Sequence, residues 1–283
     1  MAWKFECVYS AAPGPLGGLA WAGESMLFAD VAASVIRVYD TVSGGVRTWR
    51  EYTNRSNGIV FAPDGALYAC QEGGRRVVRM LPDGSCVPTC SQLDGREHNY
   101  PRFVAVDLQG AAWFSDTFHT LPASGPQIFP MLEHQSILRL SAVAGAASAW
   151  QLKRMTFDTQ SPRGLAFSPD GLRLYVADIN AGAGCELRVY RLGSDGALHR
   201  EAQVFHSPAM LEGLCVDASG RVLACVAADR EPAAIAIFTP DLKMQERHEI
   251  PDPGPLHCAF GEPGVLYVTT ASGRLYRAGN LRL

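Results

Sequence analysis

The sequence predicts an all-β, six-bladed β-propeller in a single domain over residues 1–283, and three observations predict it. A short apolar unit recurs six times, as GLAW (18–21), GIVF (58–61), FVAV (103–106), GLAF (164–167), GLCV (213–216) and HCAF (257–260). Successive units end 40, 45, 61, 49 and 44 residues apart, a spacing close to that of propeller blades. No capped helical pattern of useful length interrupts them.

Each unit reads as the innermost strand of one blade. A turn follows it, for example APDG, DLQG, SPDG or DASG, because Asp and Gly tolerate positive φ. A second apolar run comes next: MLFAD (26–30), ALYAC (66–70), AAWFSD (111–116), RLYVAD (173–178), RVLACV (221–226) and VLYVTT (265–270). The third runs are VIRVYD, RVVRM, SILRL, ELRVYRL, AIAIF and RLYRA. Their β-branched and aromatic content argues for strands. More polar outer runs, such as GVRTWREY (45–52) and MQERHEI (244–250), complete most units. The last unit has only three runs before Leu283, and FECVYS (5–10) stands before the first. That N-terminal run is expected to supply the missing outer strand, so that the closed ring leaves no bare edge.

Composition fits such a fold. Apolar residues make up 47% and charged residues 19% of 283, enough for a substantial core. The net charge of −3 carries no basic block, which argues against nucleic acid and anionic membranes as partners. MAWKFECVYS lacks the apolar core of a signal peptide, and no stretch reaches the ~18 apolar residues of a membrane span. A cytoplasmic location is therefore expected. The eight cysteines are scattered. Only Cys86 and Cys90 are close, without a second pair at zinc spacing. Buried free thiols are the expectation, with Cys70, Cys215, Cys225 and Cys258 inside strands.

The long step between the third and fourth units is an insertion over residues 117–135. It carries His119, Glu133 and His134. Such a loop acts as a lid or is a surface excursion.

In an antiparallel blade the innermost strand lines the channel. Its start lies on the same face as the end of the second strand. Gly17, Asn57, Arg102, Arg163, Glu212 and His257 are thus expected to ring one mouth, joined by Asp30, Glu72, Asp116 and Asp178. Convergent polar groups in an apolar channel make this the default binding site.

The pattern resembles the SMP-30/gluconolactonase family, which includes strictosidine synthase-like members. The matching stretches are SNGIVFAPDGALYAC, RRVVRMLPDG, WFSDT, RGLAFSPDGLRLYVAD, EGLCVDASG and CAFG…LYVTTA. The resemblance covers nearly the whole chain and implies a propeller that commonly hydrolyses lactones or esters. It also implies one divalent cation, held by a Glu before the first unit, an Asn before the third, an Asn before the fourth and an Asp before the fifth. Here those positions read Gly17, Arg102, Arg163 and Glu212. Only Glu212 offers an oxygen, and Arg has five donors and no acceptor. No metal and no cofactor are therefore expected.

A cationic clamp takes the metal's place in this reading. Arg102 and Arg163 suit bidentate capture of a carboxylate or developing oxyanion. Asn57 and Glu72 join them in binding substrate. Glu212 is the expected general base, His257 a general acid or base, and Asp116 an orienting group in the catalytic set. A small anionic or carbonyl-containing molecule is the expected substrate, and metal-independent lactone or ester hydrolysis the expected reaction. Two other readings use the same residues. A metal-free cyclase, isomerase or lyase of the strictosidine synthase-like kind would also use a Glu as acid/base. A non-catalytic ligand-binding propeller would keep the ring without turnover. Alternatively, the arginines only neutralise Glu212 and Asp116 across the channel.

Overall fold

A computed structural model describes residues 3–11, 13–119, 130–143, 149–182, 184–279 and 281. Six four-stranded antiparallel sheets follow one another around a ring, and the described residues contain no helix. Their innermost strands are Leu16–Trp21, Ser56–Phe61, Tyr100–Val106, Pro162–Phe167, Leu211–Val216 and Pro255–Phe260. Within each blade the chain runs outward strand by strand. The sixth blade closes as the sequence requires. Glu6–Ser10 pairs antiparallel with Arg274–Ala278 as its outermost strand, so the first and last parts of the chain share one sheet.

The core is divided among the contacts between blades. Six buried clusters each combine side chains from two consecutive blades, such as Leu27, Ile36, Ile59 and Leu67 between blades one and two. Large buried rings such as Trp113, Tyr175 and Tyr267 fill these seams. All eight cysteines are free. Cys70, Cys215, Cys225 and Cys258 lie in strands, as expected. Burial holds only for Cys70, Cys185, Cys225 and Cys258, however: Cys90 and Cys215 are half-buried, and Cys7 and Cys86, on outer strands, are exposed.

One feature of the inner strands positions the site. Every inner strand carries a one-residue bulge at its start, for example between Leu16 and Leu19 or between Leu211 and Leu214. A bulge re-aims the side chains it contains. Here it lies at the same mouth of the channel in all six blades.

The insertion over 117–135 is described only at its ends, since 120–129 lie outside the described residues. Its return limb leans on a small hairpin, Gln92–Leu93 with Arg96–Glu97, that precedes blade three. Glu133 pairs with Arg96 at 2.6 Å and Met131 bridges Glu97. No helix among the described residues is long and apolar enough to cross a membrane.

Candidate active site

The bulges arrange the channel mouth in two layers. The first residue inside each bulge is Gly17, Asn57, Arg102, Arg163, Glu212 or Leu256. The second is Gly18, Gly58, Phe103, Gly164, Gly213 or His257. This corrects the sequence expectation for blade six. His257 belongs to the deeper layer, and Leu256 occupies the outer position. The unit HCAF begins with His257 itself, whereas the ring residues of the other five blades stand just before their units.

Glycine fills the deeper layer for a steric reason. A Cβ at Gly18, Gly58, Gly164 or Gly213 would lie 2.4, 2.4, 2.2 or 2.5 Å from the backbone of the next blade. Blades three and six, opposite each other, supply the exceptions. The Phe103 and His257 rings meet with centroids 4.4 Å apart, tilted by 32°. They form a floor below the polar mouth. Beneath them an axial cavity of about 300 Å³ is lined by Phe103, His257, Cys215 and Cys258 among others.

Two polar groups stand on this floor. In the first, Asn57 Nδ2 donates to Glu72 Oε1 at 2.6 Å, and Asn57 Oδ1 lies 3.0 Å from His257 Nε2. An amide oxygen only accepts, so His257 carries its proton on Nε2. Burial, with Arg102 adding to it, holds the His257 pKa down to about 3. The ring is neutral at pH 7. Glu72 also faces Arg55, at 3.8 Å. Tyr52, Asn54 and Arg55 in the preceding loop all have positive φ (56°, 53° and 55°), a conformation that non-glycine residues adopt rarely.

The second group is Arg102, Arg163 and Glu212. Arg102 Nη2 stands 3.9 Å from Glu212 Oε2, beyond hydrogen-bonding distance. Nε of Arg102, Nε of Arg163 and Oε2 of Glu212 are all buried without a hydrogen-bond partner. Burial lowers the Arg163 pKa and Arg102 pushes the same way, while Glu212 opposes both. Two guanidinium groups thus share one loosely held carboxylate.

The described contacts of Asp116 fall outside both groups. Asp116 is buried, accepts from the backbone N–H of Asn99 at 2.7 Å, and has His98 Nδ1 3.3 Å away. Expected in the catalytic set, it is tied by Oδ2 to the segment that leads into blade three, while its Oδ1 is buried without a hydrogen-bond partner. Asp30 and Asp178 do similar work. Asp30 binds Arg37 and the Ala33 N–H, and Asp178 binds Arg188 and the N–H groups of Gln160 and Ser161. Glu72 lies one residue past their register position, where Gln71 pairs with Ser56. That offset turns it towards Asn57. His98, to which the sequence assigns nothing, is fully buried against Phe114 beside Asp116. It stands in an irregular segment without period, so nothing in the sequence marks it.

The model of the SMP-30/gluconolactonase/LRE-like region matches residues 17–272. The chain belongs to this family. A gluconolactonase from Zymomonas mobilis is 25% identical over 281 residues, covering 90% of this chain and 75% of the relative. An L-arabinolactonase from Azospirillum brasilense is 34% identical over 110 residues, covering 33% of this chain and 37% of the relative. The structure of a gluconolactonase from Xanthomonas campestris superposes with a TM-score of 0.82 at 26% identity, covering 98% of this chain and 89% of that one.

Proposed function

We propose that the protein is a cytoplasmic lactonase-type hydrolase that acts without a divalent cation on a small anionic or carbonyl-containing substrate at the channel mouth. One observation carries the reading: two guanidinium groups with unpartnered buried N–H donors flank an unpartnered carboxylate oxygen. Lactonases among its relatives support the reaction class.

The residues do not fit the cation that the family usually holds. Arg102 and Arg163 would repel a dication and cannot coordinate it. At the position of the first usual ligand, a Cβ on Gly17 would lie 2.7 Å from the Asn57 carbonyl oxygen and 2.9 Å from Asn57 Oδ1. Glu212 is left as the single oxygen donor of the four.

The chemistry then runs through side chains alone. Arg102 and Arg163 bind the substrate carbonyl oxygen and any carboxylate beside it. Glu212 takes a proton from water as the water oxygen attacks the carbonyl carbon. The guanidinium groups hold the resulting oxyanion. The tetrahedral intermediate collapses, the ring C–O bond breaks, and Glu212 returns its proton to the departing alkoxide. His257, a neutral imidazole with its pKa near 3, neither takes nor gives a proton in these steps. It fixes Asn57, which with Glu72 forms the opposite wall for substrate.

The test is hydrolysis of a panel of aldonolactones and carboxylated esters by the protein as purified, with and without EDTA. Turnover is expected to be the same in both. Activity abolished by EDTA and restored by calcium or magnesium would overturn the proposal. Saturable carboxylate binding with no turnover of any substrate would replace it with the binding-propeller reading.

A further inference from the structure

Below the floor, blades five and six bring three thiols together. Cys215 lies on the inner strand Leu211–Val216, Cys225 on the neighbouring strand Val222–Val226, and Cys258 on the inner strand Pro255–Phe260. The Cys258 and Cys215 sulfurs are 3.5 Å apart, against about 2.05 Å in a disulfide. Gly213 permits this approach, since a Cβ there would lie 2.5 Å from the Leu256 carbonyl oxygen.

The pair is also reachable. Cys215 and Cys258 both line the axial cavity of about 300 Å³. Cys225 is fully buried and does not line it. Cys258 Sγ is placed to donate to Cys215 Sγ at 3.5 Å and lies 3.9 and 4.0 Å from the Gly213 and Leu223 carbonyl oxygens. Contact with the Cys215 and Cys225 thiols shifts it toward the thiolate, against the effect of burial. Cys215 and Cys225 are correspondingly pushed up. The thiolate is the reactive form.

We propose that Cys215 and Cys258 form a reversible disulfide when a small peroxide enters the axial cavity. The Cys258 thiolate attacks one peroxide oxygen, the O–O bond breaks, and with hydrogen peroxide a sulfenic acid forms as hydroxide leaves and takes up a proton to become water. Cys215 sulfur then attacks the sulfenic sulfur, the S–O bond breaks, and a second water leaves with the thiol proton. Two thiols and one hydrogen peroxide become one disulfide and two waters. The bridge would tie blades five and six directly behind His257. This inference does not depend on the lactonase reading.

The test uses the full chain with the outlying cysteines removed by Cys7→Ser, Cys86→Ser and Cys90→Ser. Reduced folded protein receives a small excess of hydrogen peroxide, is capped with N-ethylmaleimide and is digested with trypsin without reductant. Cleavage at Arg221 separates Cys215 from Cys225, so the linked pair is unambiguous. The expected product joins the Cys215 and Cys258 peptides and is released by dithiothreitol. Cys225→Ala should leave it in place, and Cys215→Ala should abolish it. A Cys258–Cys225 link, sulfinic acid without any link, or a link formed only in urea would each overturn the proposal. The parent protein gives this readout even where an alanine variant fails to fold.

Discussion

The Nε2–H of His257 reaches Oδ1 of Asn57 at 3.0 Å over the position where blade one carries Gly17. Blades six and two therefore meet above blade one. A side chain at position 17 would stand where this hydrogen bond runs. In family members that hold a cation, the first ligand comes from this position. Here the space is filled by a neutral polar bridge anchored on Glu72.

Gly17→Glu, which writes the usual ligand back into the sequence, is therefore expected to harm the protein. Its Cβ meets the Asn57 backbone at 2.7 Å, and backbone cannot swing aside as a flexible side chain can. Overpacking of this kind costs about 1–3 kcal/mol. Urea unfolding should register that loss, and calcium titration should restore none of it. A calcium-dependent rise in stability would show that the cation site is merely dormant.

The buried neutral state of His257 makes a prediction about pH. Its folded pKa is lowered from 6.5 to about 3, so below pH 6.5 the unfolded chain takes up a proton that the folded chain refuses. The stability this group contributes is complete above pH 6.5 and is lost progressively as pH falls towards 3. Between pH 6.5 and about 4.5 the loss is on the order of 2–3 kcal/mol. In His257→Gln the pH slope of the urea midpoint should be shallower by close to one proton. An unchanged slope would place the titration elsewhere.

The period of the repeat made the fold and five of the six ring positions legible. It could not show that Arg102 and Glu212 stop short of a hydrogen bond, because that depends on side-chain reach across a blade. His257 lies one step deeper than its repeat unit suggests, because HCAF begins with His257 itself and Leu256 takes the outer position. Asp116 illustrates the opposite limit. Its strand position was correct, but its partners, His98 and Asn99, come from an irregular segment that no periodicity describes.

Arg163 separates charge from geometry. Arg163→Ala is expected to lower kcat/KM by about 10²-fold or more, the scale of removing one oxyanion donor. Arg163→Lys keeps the charge but loses the planar fork, so it should recover only part of that rate. The measurement is steady-state hydrolysis of a substrate bearing a carboxylate and of its uncharged analogue. An equal loss for both assigns Arg163 to the oxyanion. A loss confined to the charged substrate assigns it to the carboxylate. Full activity in Arg163→Ala would leave the clamp without a role.

Glu212 and Asp116 are both buried carboxylates at the mouth, yet they should fail in different ways. Glu212 Oε2 has no hydrogen-bond partner, so Glu212→Gln breaks no hydrogen bond of that oxygen. It does remove the carboxylate that faces Arg102 and Arg163, and the unfolding measurement reads that cost separately from catalysis. As the proposed base its loss should cost kcat about 10²–10⁴-fold. Asp116 satisfies the Asn99 N–H at 2.7 Å. Asp116→Ala strands that buried donor, at about 1–3 kcal/mol of stability. Asp116→Asn keeps an acceptor oxygen in place and should recover much of that stability. Its kcat should stay near wild type, because the described contacts of Asp116 run to His98 and Asn99 and to none of the groups on the floor. Paired unfolding and kinetic measurements on the three variants decide the matter. A stable Asp116→Asn protein with kcat as low as Glu212→Gln would return Asp116 to the reacting groups.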